Sequence, residues 1–204
     1  MKNIITSVIL ILCTFSLSIE VNAQTCPPDG WQGCNWTSHI QTYTLSSGCQ
    51  VKVTYCTGCE GQDNPKLFIS GIQPLNALCD GVNFQTMLSQ VQNALYHDPV
   101  IANQLEIPPC NPKGGGWVGS IVHMYIGQCW EMSVLFVLFG TPIPIFLPCQ
   151  LAVCEEYCDV CVAPDGSVNV QNCQWSSIGS LSCSPVPSGS WEWNTCYTIA
   201  PCVQ

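Results

Sequence analysis

The chain has little charge, and most of that charge is negative. Its 204 residues include no arginine, four lysines and thirteen acidic residues, so the formal net charge is −9 at pH 7. Charged residues make up 8% of the chain. Nucleic acids and anionic membrane surfaces are bound through clustered lysine and arginine. The scarcity of basic residues therefore argues against both as partners.

Motifs that carry catalysis are also missing. The three histidines, His39, His97 and His123, are far apart in the sequence, and there is no G-x-S-x-G or H-E-x-x-H motif. The glycines at 114–116 precede Trp117 rather than Lys-Ser or Lys-Thr, so they do not form a phosphate-binding loop. Acid–base and nucleophilic catalysis both need a tuned side chain beside a partner. We therefore expect no enzyme activity and no cofactor, while a hydrolase with paired carboxylates would be visible only from distances in space.

The N-terminus has the order of a secretory signal. Lys2 is followed by an apolar stretch from 4 to 19 and by the small-residue end Val21-Asn22-Ala23. The apolar stretch is shorter than an ordinary membrane-spanning helix and contains polar residues. We expect cleavage after Ala23, which removes residues 1–23. The protein would then be secreted or held in the cell envelope, without membrane insertion.

Cysteine, by contrast, is abundant. The chain has seventeen cysteines, and removal of the signal segment leaves sixteen, an even number, in an oxidising compartment. We expect eight disulfides, whose connectivity the sequence leaves open. The C-x-x-C pairs at 56–59 and 158–161 also match zinc or redox sites, but export favours disulfides. The sixteen cysteines are Cys26, Cys34, Cys49, Cys56, Cys59, Cys79, Cys110, Cys129, Cys149, Cys154, Cys158, Cys161, Cys173, Cys183, Cys196 and Cys202.

Short runs of alternating or β-branched residues recur between turn signals such as Asp80-Gly81. This pattern predicts a mainly β fold. The apolar run Val134–Phe139 ends at Gly140-Thr141-Pro142 and has the length of a strand that is buried on both faces. If that run were exposed, it would be a site of self-association. The predicted strands cover 39–45, 50–55, 67–72, 118–126, 130–139, 143–147, 167–170 and 191–199.

One segment has a helical period instead. Asn83 is placed to cap the start of a helix, and Asp98-Pro99 is placed to end it. We expect an amphipathic helix over about 83–97. The apolar residues that share one helical face are Phe84, Met87, Leu88, Val91 and Leu95.

A glycine-rich stretch at 111–116 divides the chain into two cysteine-rich parts. Five cysteines on one side are spaced by 15, 7, 3 and 20 residues, and five on the other side by 20, 9, 3 and 22. We expect two related β-rich modules, 24–110 with the helix and 117–204, joined by this linker. Chance similarity is the alternative, and a true duplication requires matched disulfide connectivities.

Four carboxylates, Glu155, Glu156, Asp159 and Asp165, lie within eleven residues that contain no basic residue. Like charges repel unless they are screened or bound to a metal, so a calcium site is one hypothesis. The spacing lacks the regular oxygen ligands of a known calcium loop. A solvated turn is the alternative.

The chain also has seven tryptophans. Trp191 and Trp193 are two residues apart, which on a strand places them on the same face. Two indoles on a weakly charged β surface would form a platform for stacking on sugar rings, whereas tryptophans in small β cores pack over disulfides. This pair is the candidate carbohydrate-binding site, and core packing is the alternative.

The segment from Cys49 to Cys56 alternates valine with polar residues, and the stretch from Pro148 to Cys158 leads into a C-x-x-C pair. Both resemble uncharacterised cysteine-rich proteins secreted by bacteria. The resemblance implies neither an activity nor site residues. Two hypotheses remain. One is a structural or adhesive surface protein without catalytic activity, which binds copies of itself or other surface proteins. The other is a carbohydrate-binding module for a polysaccharide.

Overall fold

The structure, a computed structural model, describes residues 26, 34–59, 64–110, 119–138, 141–187, 190–199 and 202. For residues 135–138 and 141 it describes the backbone alone. The expected signal segment 1–23 and the glycine-rich stretch 111–116 lie outside the described residues. Cleavage after Ala23 therefore stays a prediction.

The described part of the chain is mainly β, which confirms the predicted fold class. Two helices, α1 (Phe84–Tyr96) and α2 (Pro99–Gln104), and a 3-10 turn at Ala77–Cys79 follow the third strand. The strands are β1 (Trp36–Thr44), β2 (Gln50–Gly58), β3 (Lys66–Pro74), β4 (Ser120–Gly127), β5 (Cys129–Leu138), β6 (Thr141–Pro148), β7 (Val153–Val162), β8 (Val168–Ile178), β9 (Ser184–Pro185) and β10 (Cys196–Thr198).

The strands form one ten-stranded sheet that branches at β3. One side of β3 pairs with β2, whose other side carries β1. The opposite side is shared, because Lys66–Ile69 of β3 pairs with β4 in parallel while Ile72 pairs with Phe146 of β6. The first branch continues as β4–β7–β8, and the second as β6–β5–β10–β9. Strands β1 and β8 are thus the ends of a continuous path through β2, β3, β4 and β7.

The sheet corrects the expected division into modules 24–110 and 117–204. Strand β3 belongs to the first part of the chain, yet one of its sides pairs with β4 and β6, which the second part supplies. The disulfides of the two parts also differ. Cys49 and Cys149 are each the second cysteine of their spaced series, yet Cys49 bonds Cys79, the last of its series, whereas Cys149 bonds Cys196, which lies outside its series. The disulfide Cys110–Cys161 joins the two parts directly. The connectivities that a duplication requires are not found, and the two halves share one sheet.

All sixteen expected cysteines form disulfides, as the sequence predicts. A native disulfide typically stabilises a small domain by about 2–4 kcal/mol, largely by restricting the unfolded chain. Both C-x-x-C pairs are used in this way, so neither holds zinc. The pairs are Cys26–Cys56, Cys34–Cys59, Cys49–Cys79, Cys110–Cys161, Cys129–Cys183, Cys149–Cys196, Cys154–Cys202 and Cys158–Cys173.

The predicted amphipathic helix is confirmed as α1. The side chain of Asn83 accepts a hydrogen bond from the backbone N–H of Gln85, which is the expected N-cap. The expected apolar face is buried on the sheet. Asp98-Pro99 does more than end this helix, because the Asp98 side chain caps α2 and Pro99 occupies its first turn.

Two strand predictions need correction. Strand β7 is not among the predicted strands, because Glu156 occupies a core-facing position and interrupts the alternation of apolar and polar residues. The strand expected over 191–199 is reduced to β10, since Asn194 adopts a positive φ of 55° and interrupts it. Val134, the one residue of the run 134–139 whose side chain is described, is 39% exposed. Burial of that run on both faces is therefore wrong at Val134.

The main apolar core lies between the two helices and one face of the sheet. Its largest fully buried side chains include Trp130, Tyr55 and Leu95. A smaller cluster on the opposite face contains Phe68, and it also includes Cys56, Tyr125 and Val153. Among the described residues, neither helix is long and apolar enough to cross a membrane.

Candidate functional site

A groove of about 520 Å³ lies between α1 and the β4–β7–β8 branch of the sheet. Pockets that hold small molecules usually measure roughly 300–1,000 Å³. The sequence places polar residues of α1 along its rim, because positions 85, 89, 92 and 93 follow one helical stripe beside the buried apolar face. The polar side chains that line the groove are Gln85, Ser89, Gln92, Asn93, His97 and Glu156.

Glu156 is the buried carboxylic acid of this groove. It lies on the helix-facing side of β7 and is 9% exposed. Burial raises the pKa of Glu156 from 4.5 to about 7, although a hydrogen bond with Gln92 lowers it in part. The side chain therefore changes between a neutral acid and a carboxylate near neutral pH.

Trp175 lies directly beside Glu156, on the neighbouring strand β8. The register pairs the two residues, so their side chains are adjacent on the same face of the sheet. The indole ring packs partly against the main core, and the residue lines the groove. Its buried Nε1–H has no hydrogen-bond partner among the described residues. Such a donor is costly to leave unsatisfied, and it marks the place where an acceptor is missing.

Two disulfides fix the walls of the groove. Cys158–Cys173 joins β7 to β8 two residues before Trp175, and Cys154–Cys202 joins the C-terminal segment to β7. Residues 154, 173 and 202 all line the groove. One ligand atom from each of Glu156, Cys158 and Cys173 lies within 4.8 Å of the others. Because the two sulfurs are bonded to each other, they are not thiolates and do not form a metal site with Glu156.

The four carboxylates proposed for calcium do not converge. Glu155 and Glu156 lie on opposite faces of β7, because successive residues of a strand alternate. Asp159 accepts a hydrogen bond of 2.7 Å from the Asn172 amide, and Asp165 accepts bonds from the backbone and hydroxyl of Ser167 in an exposed turn. The four carboxylates therefore do not form the single calcium site that was one hypothesis. Asp165 lies in a solvated turn, which was the alternative.

The two candidate tryptophans have different surroundings. Trp191 packs in an aromatic cluster, with its ring centre 5.3 Å from that of Phe84 and 5.2 Å from that of Tyr197. Trp193 is 41% exposed and forms an isolated bridge with Met132. The two residues share no strand, so the strand that would place both indoles on one face is not formed. Sugar binding by Trp193 stays a prediction.

A second polar cluster lies on the face of β7 opposite the groove. The Nδ1 atom of His123 is 2.8 Å from Oε1 of Glu155, and the Ser176 hydroxyl donates to Oε2 over 2.9 Å. Tyr157 stacks on the His123 ring at 5.7 Å. Burial alone would raise the pKa of Glu155, but hydrogen bonds from His123, Tyr125 and Ser176 lower it below its usual 4.5. This arrangement holds a carboxylate and orients the imidazole ring.

The sequence alone did not indicate either cluster. The partner of His123 is Glu155 of β7, which lies outside the predicted strands. Trp175 lies beyond the end of the strand predicted at 167–170, so its pairing with Glu156 had no basis. The signal that could have found both was alternation through residues 153–162, in which each second residue is apolar or cysteine except at Glu156.

No protein-family model, no curated protein and no solved structure matches this chain. The fold and the disulfides define a class, the disulfide-stabilised β proteins that fold in an oxidising compartment outside the cytoplasm. The resemblance to cysteine-rich proteins secreted by bacteria stays a prediction.

Proposed function

We propose that this protein is an exported, disulfide-stabilised adhesive module that binds a carbohydrate in the groove between α1 and β7–β8. The observation that carries this proposal is the pairing of Glu156 and Trp175 at the base of a polar, preformed groove. A sugar presents alternating hydroxyl groups and C–H faces. Amides and carboxylates match the former, and an indole matches the latter.

The lining residues favour a polar, uncharged ligand. The helix stripe offers amide and hydroxyl groups that both donate and accept hydrogen bonds. Trp175 adds an aromatic side chain to this lining. With a net charge of −9, the protein repels polyanions, so a neutral polysaccharide fits better than an acidic one.

A structural role at the cell surface is the second candidate. Eight disulfides and a weakly charged surface would resist unfolding and proteolysis in the open environment. A purely structural role does not explain why the protein has a groove, and carbohydrate binding is preferred for that reason. Carbohydrate binding would also make the protein adhesive, since a bound polysaccharide would anchor it to a surface.

Binding to an array of neutral glycans, followed by calorimetry with the best ligand, tests the proposal. The variants Q92A and N93A should each weaken binding about fivefold, because a lost hydrogen bond costs about 1 kcal/mol. Thr86→Ala, an exposed position of α1 outside the groove, should bind as the parent does. Binding to no glycan, or equal weakening by all three variants, would contradict the proposal.

A further inference from the structure

In the part of the chain that the structure describes, β1 is an edge strand of the sheet. All nine of its residues pair with β2 in an unbroken antiparallel register, from Trp36 opposite Gly58 to Thr44 opposite Gln50. Within the described residues, no other strand pairs with β1. Among these residues, the side of β1 that faces away from β2 pairs with no strand, and the alternate residues Ser38, Ile40 and Thr42 are exposed.

This edge carries none of the devices that prevent one sheet from adding to another. The strand WTSHIQTYT contains no lysine, no other charged residue and no proline, and it has no bulge. Proteins commonly protect exposed edges with those features. The other long edge, β8, does carry a bulge, because Asn172 and Cys173 lie opposite the single residue Cys158, and Asn172 has a positive φ of 53°.

The sequence of β1 is complementary to itself when reversed. A two-fold axis at the central residue, Ile40, would place Ile40 against its own copy and Ser38 against Thr42. On the other face, His39 would lie against Gln41. Apolar and hydroxyl pairs of this kind stabilise neighbouring strands, and no pair sets like charges against each other.

Ile40 also gives the edge an apolar centre. Its side chain is 63% exposed, on the face of β1 away from Tyr43, whose hydroxyl bonds Asp98 over 2.8 Å. Pairing about Ile40 would remove two such side chains from water, and the backbone N–H and C=O groups of the two β1 strands would hydrogen-bond to each other. Because the axis maps the same strand onto itself, the contact closes as a dimer and does not grow into a filament.

From these observations we propose that β1 is a self-association edge, through which two copies of this chain pair antiparallel about Ile40 to form one continuous sheet. The groove of each copy lies against β7 and β8, at the far end of the strand path from β1. Dimerisation therefore leaves both grooves open. If each groove binds a glycan, the dimer would be bivalent and would hold a polysaccharide more tightly than one copy does.

Sedimentation equilibrium of the purified, disulfide-bonded protein over a wide concentration range tests the proposal. The parent protein should show a reversible monomer–dimer equilibrium. Ile40→Lys should raise the dissociation constant at least about tenfold, because it places two like charges on the axis. Leu78→Lys is the matched control, since Leu78 is 61% exposed and lies outside the strand, and it should dimerise as the parent does.

Amide hydrogen exchange identifies the surface that is used. Residues of β1 should become more protected as the protein concentration rises, whereas those of β8 should not. Near-ultraviolet circular dichroism establishes that both variants are folded. A parent protein that stays monomeric at millimolar concentration, a dimer that survives Ile40→Lys, or protection confined to β8 would each overturn the proposal. None of these outcomes depends on whether the groove binds a glycan.

Discussion

The two faces of β7 shift the pKa values of two neighbouring glutamates in opposite directions. Glu155 faces a cluster of donors, which lower its pKa, whereas Glu156 faces the groove, where burial raises its pKa to about 7. The two residues have the same chemistry and adjacent positions. A run of acidic residues on a strand therefore has no single electrostatic character, because each face of the sheet provides its own environment.

Removal of the Cys158–Cys173 disulfide on the groove face should change stability more than any other variant described below. Replacing both Cys158 and Cys173 by alanine opens a link across 15 residues and should cost about 3 kcal/mol of unfolding free energy. Chemical denaturation measures this change. Glycan binding should weaken as well, since β7 and β8 lose their covalent connection beside Trp175. A double variant with unchanged stability and binding would show that the disulfide does not shape the groove.

Glu156 should make the fold less stable as the pH rises. Its folded pKa of about 7 lies above the unfolded 4.5, so the folded state holds the proton more tightly, and stability falls between pH 4.5 and pH 7. The loss is at most about 3 kcal/mol, and it shrinks to the extent that water screens the carboxylate. Thermal unfolding of Glu156→Gln should lack this slope. The same slope in the variant would assign the effect to another group.

The opposite face should show the opposite sign. Because the pKa of Glu155 is lowered on folding, its contribution is present above pH 4.5 and is lost as the pH falls through the folded pKa. Glu155→Gln should therefore destabilise the protein near neutral pH by about 1 kcal/mol, since it weakens partly exposed hydrogen bonds. Denaturation at pH 7 and pH 3 measures this. Equal stability of variant and parent at pH 7 would mean that the His123 contact contributes nothing.

The pH dependence of glycan affinity should also distinguish the two faces of β7, although by a smaller change. A glycan that donates hydroxyl hydrogens to Glu156 should bind more tightly above pH 7, because a carboxylate accepts stronger hydrogen bonds than a neutral acid does. Glu155→Gln should leave that pH dependence unchanged, and Glu156→Gln should abolish it. Calorimetry at pH 5 and pH 8 makes the comparison. If Glu155→Gln abolished the pH dependence of the affinity and Glu156→Gln did not, the ligand would bind on the face opposite the groove, which would contradict the proposal.

Much of the fold could be predicted from the sequence, but the site could not. The mainly β class, the use of all sixteen cysteines and α1 depend on local pattern, composition and capping, all of which are visible at Asn83 and along the helix. The partners of Glu155 and Glu156 are set by strand register across β4, β7 and β8. Register is a property of distant segments, and a single buried glutamate was enough to hide β7 from the expected alternation.

The tryptophans show the same limit. Spacing places Trp191 and Trp193 on one face only if the chain between them is a strand, and the positive φ of Asn194 interrupts the strand expected there. Trp175 had no recognisable local signal, although the structure places it beside Glu156. Composition thus indicated that indoles are available, but the sheet decides which of them reaches a groove.

The two faces of β7 shift the pKa values of adjacent glutamates in opposite directions. Carbon-detected NMR titration of the Glu155 and Glu156 carboxyl groups in the intact protein tests it most directly, with the two variants to Gln providing assignment. We expect a midpoint near pH 7 for Glu156 and one below pH 4.5 for Glu155. Two midpoints that coincide near pH 4.5 would contradict it.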